Sequence, residues 1–317
     1  MLNDYAKKML RLTTYFLILT VLAVLLCGCG QKPSATEITL SENGATVTGP
    51  QKASVKTDAD SVTITRDGNY DITGTGNWSI IVQVQSGKAV YLNLKGVDIT
   101  CDYSAPINVK KSSFVVINLA ENSQNFLTDR HLYVEGAAET DASDKADAIP
   151  DAAISSRAPL LLQGSGKLSI QADCYNGIAT NDTFTMKSGN VVIHAAHHGI
   201  KGKDFVVISG GRLNISCDGD GIKSTNTEAP DLGYVNVTGG TIDIHSDDEG
   251  IYAAASVTVS GGDLTIESKK TALYGNGAVQ LKAGSIDIRT GHEPILGKSV
   301  DCSAEVLISV NGRPYRK

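Results

Sequence analysis

The chain has 317 residues, 32 of them glycine, 5% aromatic residues and a single tryptophan, Trp78. Val, Ile, Thr, Ser and Gly dominate beyond residue 35, a mix that suits strands and tight turns and argues against helices. The formal charge of −6 excludes the basic surface that a nucleic-acid partner requires.

Taken in chain order, the first segment is a leader. Lys7, Lys8 and Arg11 form a basic start, and Tyr15 to Cys27 is an apolar run of 13 residues. That run is short for a bilayer span and has the pattern of a signal peptide. It ends in Leu26-Cys27-Gly28-Cys29, which resembles a bacterial lipobox. The expectation is a signal peptide over 1–28, a lipid on Cys29, a tether over 29–37 and a folded domain over 38–317. The chain is then exported and held on the outer face of the cell membrane by its lipid.

The cysteines beyond the leader are Cys101, Cys174, Cys217 and Cys302. Export permits disulfides. Their spacing fits no zinc pattern, and the simplest reading is four small buried hydrophobes.

An internal repeat sets the expected architecture. The phrase Gly-Ile, a strand, Gly-Gly and another strand recurs. Its isoleucine-type position falls at 178, 200, 222, 251, 273 and 295, in intervals of 22, 22, 29, 22 and 22 residues. Glycines recur in step at 189, 211, 240, 262 and 284. Alternating apolar pairs such as Val206/Ile208 and Leu213/Ile215 flank them and read as short half-buried strands. Three inward segments per repeat predict an all-β fold: a right-handed single-stranded parallel β-helix, a solenoid with coils of about 22 residues, most regular over about 150–302. Upstream, Val62/Ile64, Ile80/Val82, Val90/Leu92 and Ile107 continue the texture with looser register. Residues 135–151 read as a protruding acidic loop. Trp78 reads either as a core plug or as a sugar platform.

Stacked repeats turn equal offsets into files of side chains. One file, two residues before the isoleucine, is Asn176, His198, Asp220, Glu249, Thr271 and Glu293, with Asp218, Asp247 and Asp248 nearby. A second holds Asp182, Asp204 and Asn226. Hard oxygen ligands suit Ca²⁺, so the expected metal ligands are Asp182, Asp204, Asp218, Asp220, Asp247, Asp248 and Glu249. The competing reading is a solvated acidic turn with local hydrogen bonds. A third file, one residue after the isoleucine, places Lys201 and Lys223 beside Tyr252 and Tyr274. Two lysines and two stacked tyrosines would make a groove for an extended polysaccharide. Alternatively, the lysines pair with the acidic file. No catalytic set emerges, because His197 and His198 read as strand neighbours on opposite faces.

The phrases N-G-I-A-T-N-D (176–182), H-G-I-K-G-K-D (198–204), D-G-D-G-I-K-S (218–224) and D-E-G-I-Y-A (248–253) resemble the bacterial carbohydrate-binding-domain lipoprotein family. The resemblance covers roughly residues 90–300. It implies a polysaccharide-lyase-like right-handed parallel β-helix, bound calcium, and recognition of cellulose or acidic sugars without hydrolysis. Family coils commonly read D-D-G-I. Tyr175-Asn176 and His197-His198 stand in two of those places, so the resemblance carries calcium only to the rungs of Asp220 and Glu249. The expected function is a monomeric, non-catalytic, calcium-assisted surface binder of cellulosic or uronate-containing polysaccharide. The alternatives are a calcium-dependent pectate-type lyase, with Lys201 or Lys223 as base, and an adhesin that binds a protein partner.

Overall fold

The computed structural model describes residues 34–85, 87–132 and 150–315. The expected leader, Cys29 and most of the acidic loop lie outside them. Among the described residues the fold is all-β with one short 3-10 turn, Lys52–Ser54, and no helix is long and apolar enough to cross a membrane. The first strand, Thr36–Ser41, begins inside the expected tether.

Three parallel ladders carry the repeat. One runs through Lys167–Ala172, Asn190–Ala195, Arg212–Cys217 and Thr241–Ser246. A second runs through Asn176–Thr180, Ile200–Gly202, Ile222–Ser224 and Ile251–Ala253. The third runs through Thr183–Met186, Phe205–Ile208 and Tyr234–Val237. Ile178, Ile200, Ile222, Ile251, Leu273 and Ile295 pair in succession, and all are fully buried. Upstream, Ile107 pairs with Ile154, and Ile154 with Ile178. Inward Val, Ile and Leu from all three ladders fill one continuous core, and Trp78 belongs to it, its indole N–H donating to the Ser41 carbonyl at 3.2 Å.

The expected fold class needs correction. The described strands do not form independent single-stranded coils of a right-handed parallel β-helix; all 28 belong to one continuous sheet. Val90–Cys101, Val257–Ser268 and Leu273–Arg289 run through the corners, each pairing with strands of two ladders. They join the ladders and close the wall around its core, so the cross-section is barrel-like. Nor is the pairing wholly parallel. Antiparallel partners occur at Thr36–Ser41 with Gly44–Thr48, Val55–Thr57 with Ser61–Ile64, and Val306–Val310 with Arg313–Pro314. The architecture is an all-β closed parallel wall with antiparallel strands at both ends. The physical cause is edge protection, since a terminal ladder left bare exposes a row of unpaired N–H and C=O groups.

The Gly-Ile phrase has a steric cause. A Cβ on Gly177, Gly199, Gly221 or Gly250 would fall 2.3–2.4 Å from the Cγ2 of Ile193, Ile215, Ile244 or Ile266. Each would also meet a carbonyl of the next rung at 2.6–2.7 Å. Glycine there lets the corner backbone lie directly on the core isoleucine.

Candidate functional site

From Asn176 to Glu249 the file two residues before the isoleucine works first as a hydrogen-bond ladder. Asn176 Oδ1 accepts the His198 N–H at 3.1 Å, His198 Nδ1 accepts the Asp220 N–H at 2.9 Å, and Asp220 Oδ1 accepts the Glu249 N–H at 3.1 Å. Each side chain thus captures the backbone donor of the next rung, which would otherwise be costly to bury. His198 serves in this ladder as Asn and Asp do.

This ladder fixes both histidine tautomers. The His198 backbone donor identifies the Asn176 atom it meets as oxygen. His197 Nδ1, 3.1 Å from the same oxygen, must therefore carry a proton. His198 Nδ1 accepts a backbone donor, so its proton sits on Nε2. The 3.5 Å approach of His198 Nδ1 to Asp220 Oδ2 is consequently no ion pair. Burial, aided by Lys223, His197 and Lys201, holds His198 down to about 2, which keeps it neutral. The two rings also touch, with centroids 3.8 Å apart, and His197 stacks on Tyr175 at 4.7 Å. The expectation that they face apart is corrected, because both lie in a corner where strand alternation does not apply.

Of the seven expected metal ligands, Asp220, Asp248 and Glu249 come together, with ligand atoms within 4.8 Å of one another. Asp182, Asp204, Asp218 and Asp247 are not in that cluster. Asp182 Oδ1 accepts the Thr183 N–H at 2.8 Å, and Asp204 Oδ1 accepts the Asn226 amide at 2.5 Å. Asp247 pairs with Lys269 at 2.5 Å, and Asp218 is exposed.

Charge in the cluster is already balanced. Lys223 Nζ lies 2.7 Å from Asp220 Oδ2, and Lys270 Nζ lies 2.5 Å from Asp248 Oδ1. Burial, then hydrogen bonds to Asp248 and Asp220, pushes Glu249 up to about 8. Burial would also raise Asp248, but bonds from Glu249 and Lys270 outweigh it and hold that group low. One proton is thus kept among three carboxyls, on Glu249.

A pH effect follows for chelator-treated protein. The folded state keeps the Glu249 proton that the unfolded chain gives up near 4.5. This contribution is fully present below 4.5 and is lost as pH rises through about 8. In thermal melts across that window, Glu249→Gln should flatten the fall in midpoint. A slope unchanged by the substitution would show that Glu249 is not the group responsible.

The third file is in register. Ala179, Lys201, Lys223, Tyr252, Tyr274 and Leu296 are successive ladder partners. Lys201, Lys223, Tyr252 and Tyr274 are half-buried on the outer side of the wall. Their arrangement differs from two free lysines beside two stacked rings. Lys223 binds Asp220 and also lies 5.2 Å from the centre of the Tyr252 ring. Lys201 meets Asp151 more loosely, at 3.6 Å. The tyrosine planes stand at 77°, edge to face, so both cannot lie flat beneath one straight sugar chain. The four cysteines are free thiols, with Cys101 and Cys217 buried and Cys174 and Cys302 half-buried.

A family model described as carbohydrate-binding domain-containing protein matches residues 58–312. The chain belongs to this family. A carbohydrate-binding domain-containing protein of Acetivibrio thermocellus is 35% identical over 194 residues, which is 56% of this chain and 63% of that relative. The match therefore spans less than two thirds of the relative's length. A solved structure of a polysaccharide lyase-like protein from C. thermocellum, in a gadolinium derivative, is similar with a TM-score of 0.67 and 30% identity. That similarity covers 84% of this chain and 100% of the solved one. This carbohydrate-binding domain protein thus has a polysaccharide-lyase-like structure. The Tyr175–His197 ring pair escaped the sequence reading. The available signal was the shared offset of 22 residues between the two rings.

Proposed function

We propose that this family member is a monomeric, exported lipoprotein, anchored through Cys29, that binds an extended cellulosic or uronate-containing polysaccharide without catalysis. The observation that carries the reading is the outward file of Lys201, Lys223, Tyr252 and Tyr274, in register on four successive rungs. It sets the Lys201 and Lys223 ammoniums and two rings along the line an extended chain would follow, one tyrosine offering its face and the other its edge. Aromatic rings give large contact area at low entropic cost. The basic start, apolar run and Leu26-Cys27-Gly28-Cys29 support export and anchoring.

Calcium belongs to the same reading. Asp220, Asp248 and Glu249 offer a hard oxygen set of suitable spacing. These residues fit the ion only if it takes the place of Lys223, Lys270 and the Glu249 proton. Bound calcium would supply charge neutralisation there and leave Lys223 free to turn towards a sugar carboxylate. Calorimetry in two buffers of different ionisation enthalpy checks this. Calcium binding should release a proton, and binding without release would count against the site.

Pull-down on cellulose and on insoluble pectate tests the sugar surface. Substituting both Tyr252 and Tyr274 by alanine should cut retention at least tenfold while leaving the thermal transition nearly unmoved, since both rings are half-buried. Retention equal to that of the unaltered protein would place the polymer elsewhere.

A further inference from the structure

The first ladder ends in a groove that shares no residue with the Lys201 file on the second ladder. We propose that this groove is a second sugar-binding site, which takes an uncharged polysaccharide strand and makes the protein bivalent. The proposal rests on the sugar-binding reading for its class of ligand, but it stands on different residues.

The groove follows from the register. Ser216, His245, Glu267 and Arg289 are successive ladder partners and form one wall. Two residues further along each rung, Asp218, Asp247 and Lys269 form the other. The backbone ladder continues into this second wall. The Asp247 N–H donates to the Cys217 carbonyl and the Lys269 N–H to the Ser246 carbonyl, both at 3.0 Å. Between the walls lie the small, buried side chains of Cys217, Ser246 and Ser268. Their own hydrogen atoms are engaged, the Ser268 hydroxyl donating to the Lys270 carbonyl at 2.9 Å and the Cys217 thiol to the Gly219 carbonyl at 3.3 Å. Long side chains on either side of a small floor leave a depression of about 480 Å³, a size typical of ligand sites. From Ser216 to Arg289 it crosses three rung spacings, roughly 14 Å at the usual strand separation.

The charges in the groove are already matched along each side. Glu267 Oε2 lies 3.6 Å from His245 Nδ1 and 3.8 Å from Arg289 Nη1. Arg289 Nη2 also lies 3.6 Å from Asp287, behind the same wall. On the opposite wall Lys269 pairs with Asp247 at 2.5 Å. Among the described residues no ion pair crosses from one wall to the other, so the gap is left unbridged.

This arrangement favours an uncharged ligand. Asp218, Asp247 and Glu267 outnumber Lys269 and Arg289, so the groove does not draw in an anion. A uronate carboxylate would have to displace Glu267 from Arg289 or Asp247 from Lys269. A sugar hydroxyl both donates and accepts, so it can bond to a carboxylate and its cation without parting them. Hydrogen bonds to ionised groups are also the stronger kind. Two sites engaged on one polymer multiply in effect, so losing either one lowers retention on the polymer.

Calorimetry with cellotetraose and with tetragalacturonate tests the groove, because short soluble probes report each site separately. In the Tyr252→Ala/Tyr274→Ala protein, cellotetraose binding should persist. Adding Asp247→Ala and Glu267→Ala should lower that affinity at least tenfold. The thermal midpoint should move little, since both side chains are exposed. Tetragalacturonate binding by the otherwise unaltered protein should be indifferent to the two groove substitutions. Undiminished cellotetraose affinity with all four substitutions would overturn the groove. So would complete loss of binding in the tyrosine variant alone, which would leave the tyrosine file as the sole site. Tetragalacturonate affinity that falls with the groove substitutions would overturn the choice of an uncharged ligand. Cellotetraose binding abolished by the groove substitutions and untouched by the tyrosine ones would uphold the groove and sink the tyrosine reading. No binding of either probe by the unaltered protein would sink both.

Discussion

Gly221→Ala is expected to destabilise the protein by about 3 kcal/mol, near the upper end of overpacking costs. The added methyl would sit 2.4 Å from Ile244 Cγ2 and 2.6 Å from the Gly250 carbonyl. The carbonyl cannot retreat cheaply, because it accepts the Ile222 N–H at 3.0 Å. Ile244 is fully buried, so its side chain has no open space to enter. The rungs on either side are bound to this one by paired ladders, so a local shift propagates. For a chain of this size the midpoint of thermal unfolding should fall by roughly 6 °C or more. Gly291→Ala is the control, since its methyl would meet nothing within 4 Å. That change should stay within about 0.5 kcal/mol. Equal melting of the two variants would refute the steric account of the Gly-Ile phrase.

The same glycines explain why the register was legible. A position where only glycine fits recurs on four successive rungs, at Gly177, Gly199, Gly221 and Gly250, with Ala272 and Pro294 in its place on the next two, and the Ile or Leu after it always points inward. Those two constraints leave a 22-residue signal that needs no structure to read. The register of the outward Lys201 file was legible for the same reason. The class of fold was less so. Gly261 and Gly262 read as a turn between strands, yet the strand Val257–Ser268 passes through them with a register shift. Continuity across a corner depends on whether hydrogen bonds persist through the bend, and composition does not encode that. The end strands were equally hidden, because they answer to an exposed edge and carry no repeat.

Side-chain direction at the corners was the other blind spot. Spacing placed Asp220 and Glu249 in one file and Asp182 and Asp204 in another, but backbone dihedrals decide which carboxyls converge. Asp182 turns back onto the next residue's N–H, and Asp204 onto Asn226. Asp220, 1% exposed, turns inward and collects Lys223. The histidines were misread for a related reason. Alternation holds along a strand, and His197 and His198 sit where the strand has ended.

Asp220→Ala should therefore be the most damaging change in the charged cluster. It removes the acceptor of the Glu249 N–H and the partner of the Lys223 ammonium together. Breaking a buried pair costs about 3–5 kcal/mol when the survivor stays buried. The Lys223 side chain is 25% exposed and can swing outward, which brings the expected loss to about 2–3 kcal/mol. Asp220→Asn should cost less, because its oxygen can still accept the Glu249 N–H. Both changes also withdraw a negative neighbour from Glu249. Its carboxyl should then titrate nearer its ordinary value, and the pH window of the chelator-treated protein should narrow from its alkaline side. Thermal melts across pH, with and without calcium, separate these effects. If the cluster is a cation site, calcium should stabilise the unaltered protein and leave Asp220→Ala unchanged. If its only role is the ladder, calcium should move neither protein, and the stability loss of Asp220→Ala should persist in full.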